Sequence, residues 1–343
     1  MAHSILFTRP SAWQNFESKN ELIHVPIGGV LPKRNSGKPA GDGIGVVALP
    51  GMVKLLLRKL SKHKPDVFVR AVHQKFDGHA MAECRMASPN TLFCLMEGNN
   101  PEGVSKFVKR FKSTVDVVLI NNWQPETIDA YLKEGVAVVP GFWDGFTPTD
   151  HIHRPIDEAT YDCFFGGSNH RTADGWRFPN GSDRCDFLTK ISDRFSLLVD
   201  GPFREWARFL SSETTTVQAP RSHLPYLADM QRAKILVGYN HLDLERYYTR
   251  RTIHSGAAGR LLITRVIPGS DVDMPGVGGP VQFDTNDEGI DVIQYMLSHP
   301  GKREALAERQ QEWFMKYHTW EARLRTFEHL LPRLLERKVE CVY

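Results

Sequence analysis

The sequence predicts an α/β fold of two Rossmann-like domains in series, and three observations carry that reading. Short β-branched apolar runs alternate with helical runs through the front half. The alternation lapses near residue 150 and then restarts. The 343 residues are too many for one core of ordinary size and ample for two.

In the front half, "LPGMVKLLLRKLSKHK" sets Val53, Leu56, Leu57 and Leu60 on one helical face. "PDVFVRAV" follows a proline as a buried-strand run, and "TLFCLMEG" is the next strand. "NPEGVSKFVKRFK" is a helix, "VDVVLINN" a strand, "QPETIDAYLKEG" a helix stopped at Gly135, and "VAVVPGF" a further strand. Short turns between such runs predict a parallel sheet covered on both faces. "TPTDHIHRPIDEAT", residues 147–160, loses the rhythm and reads as a linker.

The rhythm resumes with "YDCFFGGS", a strand running into glycines. The helix "GSDRCDFLTKISDRF" and the strand "SLLVDGPF" follow, and "TTTVQAP" is a short strand. "LPYLADMQRA" is a helix and "KILVGYN" a strand. A helix from about Thr252 to Ala258, stopped by Gly259, then leads into "RLLIT". From Asp287 to Lys338 the pattern is helical, with Pro300 and Pro332 expected as breaks.

Composition excludes several classes. A hydrophobic share of 41% with 24% charged residues is that of a globular chain, not a disordered one. No apolar run approaches the roughly 18 residues needed to span a bilayer. The apolar part of "MAHSILFTRPSAW" is too short for a signal peptide, so a cytoplasmic protein is expected. Five scattered cysteines without CxxC spacing read as reduced thiols. Residues 1–150 hold 18 Lys/Arg against 14 Asp/Glu, whereas the remainder is nearly balanced. That asymmetry fits an anionic partner for the front half, and fits ordinary surface scatter equally well.

Chemistry concentrates in "YYTRRTIHSGAAGRLLIT", residues 247–264. Two arginines precede a helix of small residues. A helix start offers free N–H groups and a positive dipole end, and a guanidinium offers a planar donor fork. Arg250 or Arg251 with this helix suits a diphosphate; a surface arginine pair on a tightly packed helix fits the same residues.

The segment "RRTIHSGAAGRLLITRVIPG" resembles the donor-binding segment of GT-B glycosyltransferases, in particular the spore-maturation-protein-like (CgeB-like) branch. Arg251, Gly259, Leu261 to Thr264, Pro268 and Gly269 stand where that branch has its arginine, glycine, strand and Pro-Gly. The run from Val281 through "SHPGKREALAERQQEWFMKYHTWEARL" resembles the same branch, as does "YDCFFGGSNHR" upstream. The likeness covers residues 161–326 and is architectural over 1–150. It implies an acceptor-side domain at 1–150, a donor-binding domain at 151–318, and a C-terminal helix at 319–343 returning to the first domain. It also implies a donor site in a cleft between the domains.

The resemblance implies a glycosyltransferase using a nucleotide sugar, most simply a UDP-sugar, as cosubstrate and no other cofactor. The glycine turn of Gly166 and Gly167 and the helix after Arg250 and Arg251 would meet the diphosphate. Asp200, Tyr239 and Asn240 end strands at the same edge. Two departures stand out. His254 occupies the place of the glutamate that holds the ribose, and a histidine cannot chelate two hydroxyls. Arg246 occupies the earlier acidic position, beside Glu245.

Candidates for the acceptor hydroxyl are His73, Glu97 and Asp144, each at a front-half strand end. "VPIGGV", with Gly28 and Gly29, is a candidate second glycine turn. His151 and His153 sit in the linker without an acidic or thiol partner at a metal-ligand spacing, so no metal is expected, in line with the metal-independent chemistry that the resemblance implies. The acceptor is open: a surface glycan, or hydroxymethylated pyrimidine in DNA. The latter would suit the basic helices "KLLLRKLSKHK" and "KFVKRFK" and exposed aromatics at Trp123, Phe142, Trp143 and Phe146. A nucleotide-sugar epimerase and a nucleic-acid-binding protein on the same scaffold are the competing readings.

Overall fold

In a computed structural model of the chain, the described residues are 3–7, 21–24, 46–47, 50–71, 74–75, 78–97, 103–150, 158–169, 171–172, 175–211, 213–221, 223–274 and 276–343. They form two compact units. One comprises Met1–Phe142 with Arg323–Tyr343, the other Trp143–Ala322.

The first unit holds β1 (Ser4–Phe7), β2 (Glu21–His24), β3 (Val46–Val47), α1 (Pro50–His63), β4 (Val67–Ala71) and β5 (Gln74–Lys75). It continues with α2 (Gly78–Ala87), β6 (Leu92–Glu97), α3 (Lys106–Phe111), β7 (Val117–Ile120), α4 (Pro125–Lys133) and β8 (Ala137–Val139). Six strands form a parallel sheet in the order β2-β1-β4-β6-β7-β8. Its central strands are mostly apolar, as in a parallel sheet covered on both faces, with Arg70 and Glu97 buried near the ends of β4 and β6. Leu56 and Leu60 of α1 pack with Phe68, Met81, Cys84 and Phe93; Val108 and Tyr131 pack with Val118 and Ile120. Ser105 caps α3 by accepting the Val108 amide at 3.2 Å. Gly135, at φ 78°, takes the left-handed conformation that ends α4.

The second unit runs β9 (Tyr161–Gly166), β10 (Arg171–Thr172), β11 (Gly175–Trp176), α5 (Gly181–Ser192), β12 (Leu197–Asp200), α6 (Phe203–Trp206), β13 (Thr215–Gln218), α7 (His223–Met230) and β14 (Ala233–Gly238). Then come α8 (Arg250–Ala257), β15 (Leu261–Arg265), α9 (Ser270–Asp273), β16 (Val281–Phe283), α10 (Asn286–Ser298) and α11 (Pro300–Tyr317). The helix α12 (Trp320–Leu335) starts in this unit and belongs to the first from Arg323 onward. The sheet is again six-stranded and parallel, in the order β13-β12-β9-β14-β15-β16. The strands on either side of β9 are reached by crossovers of opposite sense. The strand order therefore reverses at β9 and β14, the place where such sheets bind ligands.

Several expectations are corrected. The glycine-stopped helix starts at Arg250, not Thr252, because the Thr249 hydroxyl accepts the Thr252 amide at 3.2 Å and fixes the start there. Both arginines therefore lie in the first turn. Pro332 does not break α12: it lies on the exposed side, while Leu324, Phe327, Leu330, Leu331 and Leu334 bury a continuous stripe. The break falls instead at His318 and Thr319. The strands β1 and β2 and the helix α2 were not predicted; their runs are short and weakly periodic. Phe142, Trp143 and Phe146 are buried, not exposed, and the Trp123 ring lies 5.8 Å from that of Tyr343. All five cysteines are free. Among the described residues no helix is long and apolar enough to cross a membrane.

Candidate functional site

The carboxyl ends of β9 and β14 and the start of α8 enclose a cavity in the second unit. Phe165 and Gly166 come from β9, Gly238 to Asn240 follow from β14, and Thr249, Arg251, Thr252 and Ser255 come from α8 and its cap. Tyr226 of α7 closes one side. Among the described residues that line it, Arg251 is the one that carries a charge.

Glycines make the close approach that the site needs. Gly167 has φ 151°, and a Cβ there would fall on the Arg251 guanidinium. A Cβ on Gly166 would lie 2.8 Å from Cζ of Tyr226. The backbone of β9 can therefore meet Arg251 directly: Arg251 Nη1 donates to the Gly166 carbonyl at 2.6 Å. That bond holds one nitrogen of the fork. Helix geometry leaves the first amides of α8 without intrahelical acceptors, so cation and helix start share one anion-attracting corner.

Arg250 has a different setting. Its side chain is exposed; Nε donates to His254 Nε2 at 3.3 Å, and Nη2 lies 3.4 Å from His223 Nδ1. His223 Nε2 in turn lies 3.1 Å from the Asp150 carboxylate. The buried His254 ring packs edge-on to His223 and lies 6.1 Å from the Phe146 ring. It belongs to this chain of polar groups and is not part of the cavity lining.

Asp200 ends β12 and is buried; the Arg221 amide reaches both its oxygens at 3.3 Å. Burial raises its carboxyl to about 6, against the effect of that amide, and the nearby Asp229 adds to the rise. Tyr239 accepts from Arg265 Nη1 at 2.8 Å, and Asn240 Nδ2 donates to the Tyr247 carbonyl at 2.8 Å. Both therefore stiffen the floor of the cavity.

Arg246 lies outside the lining. It has φ 51°, pairs through both Nε and Nη2 with Asp273, and its carbonyl accepts from Trp143 Nε1 at 3.1 Å. Tyr248 also donates to Asp273, at 3.2 Å. This knot anchors the segment that enters α8.

In the first unit, Glu97 ends β6 and is buried. Ser105 Oγ donates to it at 2.6 Å, and burial raises its carboxyl above the usual range. Its visible task is to hold the residue that caps α3. Asp144 is half-buried and falls in the second unit, two residues past the boundary. His73, Gly28, Gly29, His151 and His153 lie outside the described residues. Among the described residues no group of three or more His, Cys, Asp or Glu side chains could hold a metal ion.

Sequence reasoning missed Thr249, Thr252, Ser255 and Tyr226. The threonines were readable as a cap in "YYTRRT". Nothing in the sequence brings Tyr226 to Gly166.

Residues 184–329 match the profile of the family described as glycosyl transferase-like. The whole chain is similar to the Anabaena protein Alr3699/HepE, solved with UDP and glucose. The two share 12% identity, with a TM-score of 0.57 over 96% of this chain and 100% of that one. It is also similar to a glycosyltransferase from Rickettsia africae (11% identity, TM-score 0.56, 98% and 99% covered). A third is the sucrose-phosphate synthase of Thermosynechococcus elongatus (13%, 0.52, 97% and 89%). No protein of curated function matches the sequence. The fold is that of the GT-B glycosyltransferases, with two Rossmann-like parallel sheets.

Proposed function

We propose that this protein transfers a sugar from a nucleoside diphosphate donor, a UDP-sugar, to an acceptor hydroxyl, within the spore-maturation-protein-like branch. The observation that carries the reading is Arg251, the one charge among the described lining residues, set at a helix start over the carboxyl ends of a parallel sheet. The family match over residues 184–329 supports it, as does the UDP held by a protein of the same fold.

The chemistry asks for stabilisation of negative charge on the departing diphosphate. Arg251 has donors beyond the one given to Gly166, and the α8 dipole adds to it, so both act most strongly as the bond to the sugar breaks. Thr252 supplies a hydroxyl in the same turn and Ser255 another one turn deeper. Gly166 and Gly167 let the backbone approach, and Asp200, Tyr239 and Asn240 shape the side given to the nucleoside. His254 orients Arg250 rather than replacing a ribose-binding carboxylate. His73 and Asp144 are the first candidates for the acceptor base. Glu97 comes after them, because its carboxyl is tied to Ser105. No metal enters this scheme.

An anionic acceptor is supported by exposed Lys54, Arg58 and Lys62 on α1 and by Lys106, Lys109 and Arg110 on α3. The buried aromatics remove the stacking argument for DNA. The experiment is calorimetric titration of UDP and UDP-glucose, with and without a chelator, on the wild type and Arg251→Ala. Binding that survives the chelator and drops at least tenfold in the variant is expected. Equal binding by both proteins removes Arg251 from the site. Analysis of products formed from the donor alone separates transfer from epimerisation, and binding of DNA at low salt tests the nucleic-acid acceptor.

A further inference from the structure

Arg184 is one of the most completely buried side chains in the protein, with no accessible surface. Among the described residues, none offers a hydrogen-bond acceptor to its guanidinium nitrogens (Nε, Nη1, Nη2). Natural cores rarely leave such a group unsatisfied, because desolvating a cation without a partner is destabilising. Burial, together with repulsion from Arg251, lowers its guanidinium to about 9, so it keeps its charge at neutral pH.

Its place in the fold explains what that charge faces. The helix α5 connects β9 to its parallel neighbour β12, so its first turns stand at the carboxyl edge where β9 ends. The same helix packs Cys185, Phe187 and Leu188 against Phe165, Val237 and Tyr239, which form part of the cavity wall. Glu205 is the carboxylate whose field favours Arg184; one of its oxygens accepts from the Ser168 hydroxyl and from the Asn169 amide at 3.0 Å, so it offsets part of the charge without hydrogen-bonding the guanidinium. Arg184 and Arg251 repel each other from the two sides of that wall.

We propose that Arg184 is a buried positioning cation of the donor site, whose charge, held without a hydrogen-bonded counterion, draws the diphosphate into the cavity beside Arg251. The inference rests on the donor reading above. The charge acts through the wall, and an incoming anion in the cavity relieves the repulsion between the two guanidinium groups. Arg184 is therefore kept for binding at the expense of stability.

The test uses full-length wild type, Arg184→Met, Arg184→Gln and Arg184→Lys, with melting temperature and calorimetry as readouts. The probes are UDP, uridine and inorganic pyrophosphate. Without ligand, Arg184→Met is expected to melt at or above the wild type, since an apolar side chain replaces an orphaned charge. Its affinity for UDP and pyrophosphate is expected to fall at least tenfold while uridine binding stays within twofold, and Arg184→Lys is expected to recover most of the loss. If Arg184→Met does not fold, the comparison of Arg184→Gln with Arg184→Lys decides. Lower unliganded stability with unchanged UDP and pyrophosphate affinity overturns the proposal and makes Arg184 a core residue. Wild type that binds pyrophosphate through Arg184 but not UDP overturns the donor reading alone.

Discussion

Gly167 leaves empty the space that the Arg251 guanidinium fills. The glycine lies on the loop after β9 and the arginine in the first turn of α8, so the two ends of the site are fitted to each other. Gly167→Ala forces a side chain into a backbone conformation that L-residues rarely adopt and pushes Arg251 aside. The expected outcome is a loss of about 1–3 kcal/mol in stability and at least tenfold weaker UDP binding, read by urea unfolding and calorimetry. Retained affinity would detach Arg251 from the phosphate.

Arg246 should behave in the opposite way. Its guanidinium is paired with Asp273 and stands outside the cavity lining. Arg246→Ala takes the cation from a mostly buried carboxylate and leaves it the Tyr248 hydroxyl, and a loss of about 3 kcal/mol is expected. UDP affinity of the folded fraction should change less than threefold. A large affinity loss without a stability loss would return Arg246 to the site.

Asp200 gives the protein a pH signature. Its folded value of about 6 is above the unfolded one, so the folded state binds more protons between them. Its contribution is complete below about pH 4 and is lost as pH rises through about 6. Asp200→Asn removes the titration. The variant is expected to gain stability relative to wild type by roughly 2 kcal/mol between pH 4 and pH 7. Urea midpoints at both pH values measure it, and a constant difference would refute the shift.

Gly256 lies against the Phe314 ring, where a Cβ would overlap the ring carbons. Gly256→Ala is expected to cost about 1–3 kcal/mol by overpacking, and Phe314→Leu in the same chain should recover part of it. Independent, additive effects in the double variant would show that α8 and α11 do not meet there.

The sequence displayed most of the parallel strands because each carries at least three consecutive apolar residues: "VFVRA", "LFCLME", "AKILVG" and "LLITR" needed no tertiary information. Arg251 was legible because a helix start and a guanidinium are local features. His254 was legible as a residue but not as a contact, since its partners Arg250, His223 and Phe146 come from three segments. Arg184 was hidden for the same reason: "SDRCDFL" reads as an ordinary amphipathic start, and only packing shows that the arginine faces inward. The aromatic run around Trp143 misled because residues just past a strand end carry no periodicity that tells which side chains are covered.

The tail of the first sheet bears on synthesis. The amide and carbonyl of Val138, on the edge strand β8, are bonded to the Glu340 carbonyl and the Val342 amide. A chain made from its N-terminus completes Trp143–Ala322 before those partners exist. The second unit is continuous in sequence and can fold as it emerges. The first must wait for residues 323–343, with one sheet edge open in the meantime. Ribosome-bound chains stopped at residue 322 are therefore where aggregation, or capture by a chaperone, would first be seen.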